Sequence, residues 1–203
     1  MIDMTVARSR VAISLALLVT LATPTHAQSP AGIVRVIVQT PLGNIELAVD
    51  SAHAPVSAAN FLRRVDAGHY QGGRFHRTVT LGNQQANLVK IEVIQAAAAP
   101  ARTRDSFPAI VLERTNQTGL RHLDGTVSMA RSGPNTATSD FFICIGDQPE
   151  LDFGGKRNTD GQGFAAFGTV TSGMDVVRRI QAASAKGQSL DPPIGIVNIV
   201  RVR

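Results

Sequence analysis

Phe141 and Phe142 stand side by side in a short apolar run, residues 141–145, and this adjacency constrains the fold more than any other feature of the chain. On a strand, neighbouring side chains point to opposite faces. The two rings therefore cannot share an environment, and both faces of that strand need cover. The run ends a stretch, residues 125–146, whose first apolar run lies at 127–130, with a polar loop of Ser, Thr, Asn, Gly and Pro between the two. Gly133-Pro134-Asn135 turns that loop, because Pro fixes φ while Gly and Asn tolerate positive φ. Two readings stay open at this point. Either the sheet is simply covered on both faces, or one Phe fills a core while the other lines a binding surface.

The rest of the chain reads as short strands and two helices. Residues 33–38 and 45–49 alternate apolar positions around a turn at 40–44, a β-hairpin. Residues 54–65 carry Pro55 at the start and apolar side chains at 58, 61, 62 and 65, an amphipathic helix stopped by Gly68. A strand at 72–79 follows a Gly-Gly turn, 81–88 is a polar surface loop, and 90–95 is a strand ended at Pro100. Residues 100–108 form a further loop, 110–113 are extended, and 114–124 are a polar connection. After a long loop at 147–163 come a strand at 164–170, a helix at 173–180, a loop at 184–193 and a closing strand at 194–202. About eight strands and two helices with this density of turns argue for one mainly β domain, a sandwich or a closed barrel.

Residues 1–27 stand apart from that domain. Arg8 and Arg10 precede an apolar run at 11–22 that is too short to span a bilayer, and small residues flank a cut after Ala27. This is the pattern of a secretory signal peptide. It predicts a mature domain of residues 28–203, located in the periplasm or secreted, that meets no membrane after cleavage. Of the 20 Lys and Arg and the 15 Asp and Glu, Arg8, Arg10 and Asp3 leave with the signal, so the mature net charge is +4. The basic residues are scattered, and with no Trp and one Tyr there is no base-stacking platform, so no nucleic-acid partner is expected. Cys144, the only cysteine, sits in the apolar run and reads as a buried, inert thiol.

The usual parts of enzyme chemistry are missing. The five histidines, at 26, 53, 69, 76 and 122, form no ligand pair, and one Cys gives no zinc pattern, so no metal or other cofactor is expected. Asn158-Thr159-Asp160-Gly161 lacks the closing carboxylate of a calcium loop and reads as a turn. No G-x-S-x-G, P-loop or G-x-G-x-x-G occurs. What remains is Phe75-His76-Arg77, one cation on a strand beside aromatic residues.

Seven motifs in order change the weight of that cation. Ala54-Pro55-Val56-Ser57-Ala58-Ala59-Asn60-Phe61-Leu62, Phe75-His76-Arg77, Ile94-Gln95, Ser128-Met129-Ala130-Arg131, Ser139-Asp140-Phe141-Phe142-Ile143-Cys144, Leu151-Asp152 and Ala166-Phe167-Gly168-Thr169-Val170 occur in the order and approximate spacing of the cyclophilins. The chain resembles that family over nearly all of residues 33–203. The resemblance implies peptidyl-prolyl cis–trans isomerase activity on proline-containing segments of folding proteins, here exported ones. It also implies a closed eight-stranded antiparallel β-barrel capped by two α-helices, and a monomer is expected. By the same resemblance Arg77 is catalytic and Gln95 binds substrate backbone and orients it. Phe142 floors the proline pocket, Leu151 is a second wall, and Val93 takes the position of a pocket Met. Ala130 and Arg131 form the edge along which substrate lies, while His76, Asp140 and Phe164 complete the substrate site.

The chain departs from the family pattern at several of these places. Glu92 falls where a pocket Phe is usual, Ala96-Ala97 replace a Gly-Gly pair, and about ten extra residues separate Arg77 from Gln95. Asp140 replaces a Gln, Glu150 an aromatic residue, and Phe164 a frequent His. These changes predict a pocket with less aromatic surface, two added carboxylates that pair with Arg77 or Arg131, and weak cyclosporin binding. Together with the lengthened loop at 78–90 they leave a second reading open, a non-catalytic proline-peptide-binding or chaperone-like module on the same barrel.

Overall fold

In the computed structural model, residues 31–102 and 107–202 are described, together with Met1. The signal pattern and its cut after Ala27 lie outside the described residues. The predicted hairpin forms from β1 (Ile33–Thr40) and β2 (Gly43–Asp50), with Thr40 opposite Gly43. Their alternation buries Val36 and Val38 on one strand and Ile45, Leu47 and Val49 on the other. α1 (Pro55–Asp66) then turns Ala58, Phe61, Leu62 and Val65 inward, one stripe at helical spacing. The carboxylate of Glu113 accepts from the backbone N–H of Val56 (2.9 Å) and Ser57 (2.7 Å), satisfying donors that the first turn leaves free.

The sheet continues with β3 (Arg74–Val79), β4 (Val93–Ala97), β5 (Thr126–Met129), β6 (Phe141–Cys144) and β7 (Ala165–Ser172). α2 (Thr115–Thr118) is one short turn in the predicted polar connection, and α3 (Met174–Gln181) buries Val176, Val177 and Ile180. β8 (Ala185–Lys186), β9 (Ser189–Gly195) and β10 (Asn198–Arg201) complete the order β10-β1-β2-β7-β5-β6-β4-β3-β9-β8, antiparallel at every pairing. α1 packs on β2, β7 and β10, and α3 on β2, β3 and β4. Phe61 anchors the core between them, within 5.4 Å of the ring centroids of Tyr70 and Phe141 and 5.1 Å of Phe167.

The closed eight-stranded barrel with two helices is corrected on two points. The described residues form ten strands and three α-helices, and the hydrogen-bonded order is open, ending at β10 and β8. The expected loop at 184–193 holds β8 and most of β9, because a strand here tolerates Pro192 and Pro193, which read as breakers in the sequence. The expected single closing strand is divided at Ile196–Val197. There the chain crosses from the β3 edge, where Ile196 N–H donates to Gly73 (2.7 Å), to the β1 edge, where Val197 N–H donates to Gln39 (2.8 Å). Continuity between the two edges is thus carried by the chain itself.

Candidate active site

The strands of the half-sheet β3-β4-β6 separate two apolar clusters. Ile94 and Ala96 of β4 and Phe141 and Ile143 of β6 belong to the main core, while Val93, Phe142 and Cys144 face a smaller cluster with Val79, Ile91 and Leu151. The Phe pair therefore divides as the second reading requires. Phe141 meets Phe61 edge-on at 5.4 Å, and Phe142 lines a cavity of about 440 Å³ on the other face. Cys144 is fully buried and its thiol pKa is pushed well up by burial, an inert position.

A β-bulge brings the cation to this face. Phe75 pairs with Ala96 and Arg77 with Gln95, so His76 is the extra residue. Strict alternation would have put Arg77 on the side of buried Phe75. With the bulge, Arg77 lies beside Gln95 on the cavity wall. Its Nε (2.9 Å) and Nη2 (2.6 Å) both donate to Oε1 of Gln188, and its Nη1 donates to Oε1 of Gln95 (3.0 Å). These partners are neutral amides, and among the described residues no carboxylate reaches ion-pair distance of Arg77. Burial without a counter-ion lowers its pKa, but a guanidinium keeps its charge. Three of its five N–H donors are used, so two remain for a ligand.

Arg77 is one link in a row across the strands. Gln188 Nε2 donates to the carbonyl of Asn83 (3.1 Å), and Gln95 Nε2 to Oδ2 of Asp140 (3.4 Å). Asp140 thus touches the row through Gln95 and does not hold Arg77. The other expected carboxylates stand elsewhere. Glu92 accepts from Gln181 Nε2 (3.2 Å), Glu150 accepts from the Lys156 N–H (2.7 Å), and neither lines the cavity. Of these three acidic replacements only Asp140 lines the cavity, where two added carboxylates were expected.

Val93, Phe142 and Leu151 make the apolar floor and wall, and Phe164 meets Phe142 edge-on at 5.3 Å. Ala130 and Arg131 border the cavity just past β5. The Arg131 guanidinium is engaged. It donates to both carboxylate oxygens of Asp160 (2.7 and 2.9 Å) and to the carbonyl of Gly163 (2.8 Å). That bidentate contact, with the N–H of Gln162, lowers the Asp160 pKa to about 2. Gly163 has φ +66 and a Cβ there would lie 2.5 Å from the Asp152 backbone, so the fold-back of this loop depends on glycine. His76 is not among the lining residues. Its buried Nε2 has no hydrogen-bond partner and lies 3.5 Å from Asp140 Oδ2.

Several contributors escape a sequence reading. Gln188 lies in the stretch read as a loop, and no local pattern marks it. The loop at 81–88 is pinned by Gln84, which is buried, donates to the carbonyls of Thr80 and Ile91 (both 2.7 Å) and accepts from the Ile91 N–H (3.2 Å). Below Phe142, Ser128 Oγ lies 2.9 Å from His122 Nε2, and His122 Nδ1 lies 2.7 Å from Asp152 Oδ1. This order resembles a hydrolytic triad. Ser128 is fully buried and does not line the cavity, and the His122 ring stacks on Phe142 at 5.9 Å, so the chain of bonds fixes the floor. Among the described residues no group of three or more His, Cys, Asp or Glu gathers as a metal site, and no helix is long and apolar enough to cross a membrane.

Residues 34–203 match the family described as cyclophilin type peptidyl-prolyl cis-trans isomerase/CLD. A peptidyl-prolyl cis-trans isomerase A of Dickeya dadantii is 39% identical over 146 residues, 71% of this chain and 70% of that one. A peptidyl-prolyl cis-trans isomerase of Acinetobacter baylyi is 34% identical over 168 residues, 81% of this chain and 82% of that one. A crystal structure of a Cryptosporidium parvum cyclophilin type peptidyl-prolyl cis-trans isomerase superposes with a TM-score of 0.67 at 22% identity, covering 84% of this chain and 98% of that one. A second structure of that protein, in the presence of the dipeptide Ala-Pro, gives a TM-score of 0.65 at 22% identity, covering 83% and 99%.

Proposed function

The chain belongs to the cyclophilin-type peptidyl-prolyl cis-trans isomerases and is an isomerase of that class, and from this premise we propose that it turns over X–Pro bonds of exported proteins at the Arg77 cavity. The observation that carries the assignment to Arg77 is its guanidinium, on the wall of a cavity with an apolar floor, held by two glutamine carbonyls with two donors unused.

The chemistry needs little more. Amide resonance sets a barrier of ~18–20 kcal/mol to rotation about the peptide bond. A donor to the prolyl nitrogen localises its lone pair and removes double-bond character. The donor works best when it is preorganised and only partly hydrated. Gln95 and Gln188 orient Arg77 without neutralising it, which a carboxylate would do. Phe142, Leu151, Val93 and Phe164 offer the proline ring an apolar seat, and Asp140 lies at the end where Gln95 meets substrate backbone. A proline-containing segment is the corresponding partner, as in the Ala-Pro work on the Cryptosporidium protein. The N-terminal pattern supports action on exported proteins in the periplasm or outside the cell. Of the features that favoured a non-catalytic module, Glu92, Glu150 and the lengthened loop at 78–90, the two carboxylates stand outside the cavity.

The test is a proline-isomerisation assay on a short Ala-Pro peptide with wild type and Arg77→Ala. kcat/KM falls by roughly 10²–10³ in the variant, the scale for loss of one preorganised donor, with the thermal midpoint kept. Equal rates overturn the assignment of Arg77.

A further inference from the structure

Arg157 is a third guanidinium on the cavity, and it lies outside the seven motifs that carry the family resemblance. It is half-buried, it lines the cavity together with Ile91 and Val93, and it comes from the loop between the Leu151 wall and Phe164. Its Nη1 donates to Oε1 of Gln84 (2.9 Å) and to the carbonyl of Val89 (2.6 Å). Both partners are neutral, and among the described residues no carboxylate pairs with it. Burial, and then repulsion from Arg77, lower its pKa, and the guanidinium keeps its charge. Three guanidinium groups thus border one cavity. Asp160 neutralises Arg131, and among the described residues no carboxylate neutralises Arg77 or Arg157.

The charges are also arranged in order. Ala96 pairs with Phe141, so Asp140 sits at the Ala97 end of β4. Arg157, bound to Val89, sits at the opposite end, beyond Ile91. A peptide in the cavity meets a negative end and a positive end with an apolar floor between. A half-buried cation without a counter-ion is costly, and a ligand carboxylate placed beside it recovers part of that cost. From this geometry we infer that Arg157 sets substrate preference: the enzyme favours proline segments that carry an Asp or Glu next to the proline, with the acidic side chain at Arg157. The inference rests on the reading of this cavity as the substrate site.

Two peptide sets test it, each identical except for Glu, Ala or Lys, placed before the proline in one set and after it in the other. At low salt, wild-type kcat/KM for Glu exceeds that for Lys by about tenfold in one set, which also identifies the side. The preference shrinks as salt rises. Arg157→Gln brings the Glu-to-Lys ratio to near one, and Arg157→Lys keeps its direction. A wild-type ratio at or below one in both sets overturns the inference, as does a ratio unchanged in Arg157→Gln. If Arg157→Gln does not fold, the wild-type ratio, its salt dependence and Arg157→Lys decide the matter. The Ala peptides separate the two readings. If their turnover is indifferent to Arg77→Ala, the cavity is not the site. If it depends on Arg77 without any acid preference, only the role of Arg157 falls.

Discussion

Arg77 owes its place to one extra residue. The bulge at His76 moves it from the core side of β3 to the cavity, where two amides fix it. Gln95 was legible because it stands in the strand pairing with β3 and in a motif. Gln188 was not, since 111 residues separate it from Arg77 and only the fold brings them together. It accepts two of the three bonds that orient the guanidinium. Gln188→Ala is therefore expected to lower kcat about tenfold with KM little changed, as for a lost orienting contact of ~1.4 kcal/mol. Steady-state kinetics on a neutral peptide reads this, and an unchanged kcat would remove Gln188 from the positioning role. Carboxylate partners could not be told from the sequence either. Glu92 and Glu150 matched pocket positions by count, yet the chain turns them toward Gln181 and Lys156.

At the scale of elements, β6 shows how far alternation alone can be trusted. The two adjacent Phe residues dictated two covered faces, and the faces are a main core and a cavity floor. Phe141 lies in the aromatic cluster with Phe61, Tyr70 and Phe75, so Phe141→Ala is expected to cost about 3–5 kcal/mol of stability. Denaturant unfolding measures this, and a loss under about 1 kcal/mol would place the ring outside the core. The sequence marks residues 147–163 only as a long loop with a turn at 158–161, because the bonds that order it reach residues distant in the chain. Arg131 is its staple. Asp160 has its pKa depressed from 3.8 to about 2, so the stability it contributes is complete above pH 3.8 and is lost as pH falls toward 2. Thermal melts across that window should therefore show wild type losing more stability than Asp160→Asn. Parallel losses in the two proteins would mean that the contact does not form. The strands at 185–195 lie largely in a stretch expected as a loop, because Pro192 and Pro193 give it no strand pattern and only pairing with β3 makes it one.

For the whole molecule, mainly β architecture was legible from strand spacing, and the open hydrogen-bonded order was not, because it turns on one crossing at Ile196–Val197. Export, proposed from the pattern of residues 1–27, is the other whole-chain reading. When the full chain is expressed with a secretion system, mass spectrometry of the exported protein should find Gln28 as the first residue, and a retained Met1 would contradict the signal reading. The cavity, Arg77 and the apolar floor together make one claim, that this protein exchanges the two isomers of a bound X–Pro bond. Exchange spectroscopy by NMR on an Ala-Pro peptide with the mature protein tests it most directly. Cross-peaks between the cis and trans forms should appear with wild type and vanish with Arg77→Ala, while the peptide still binds. Binding to wild type without exchange, or exchange undiminished in Arg77→Ala, would contradict the account.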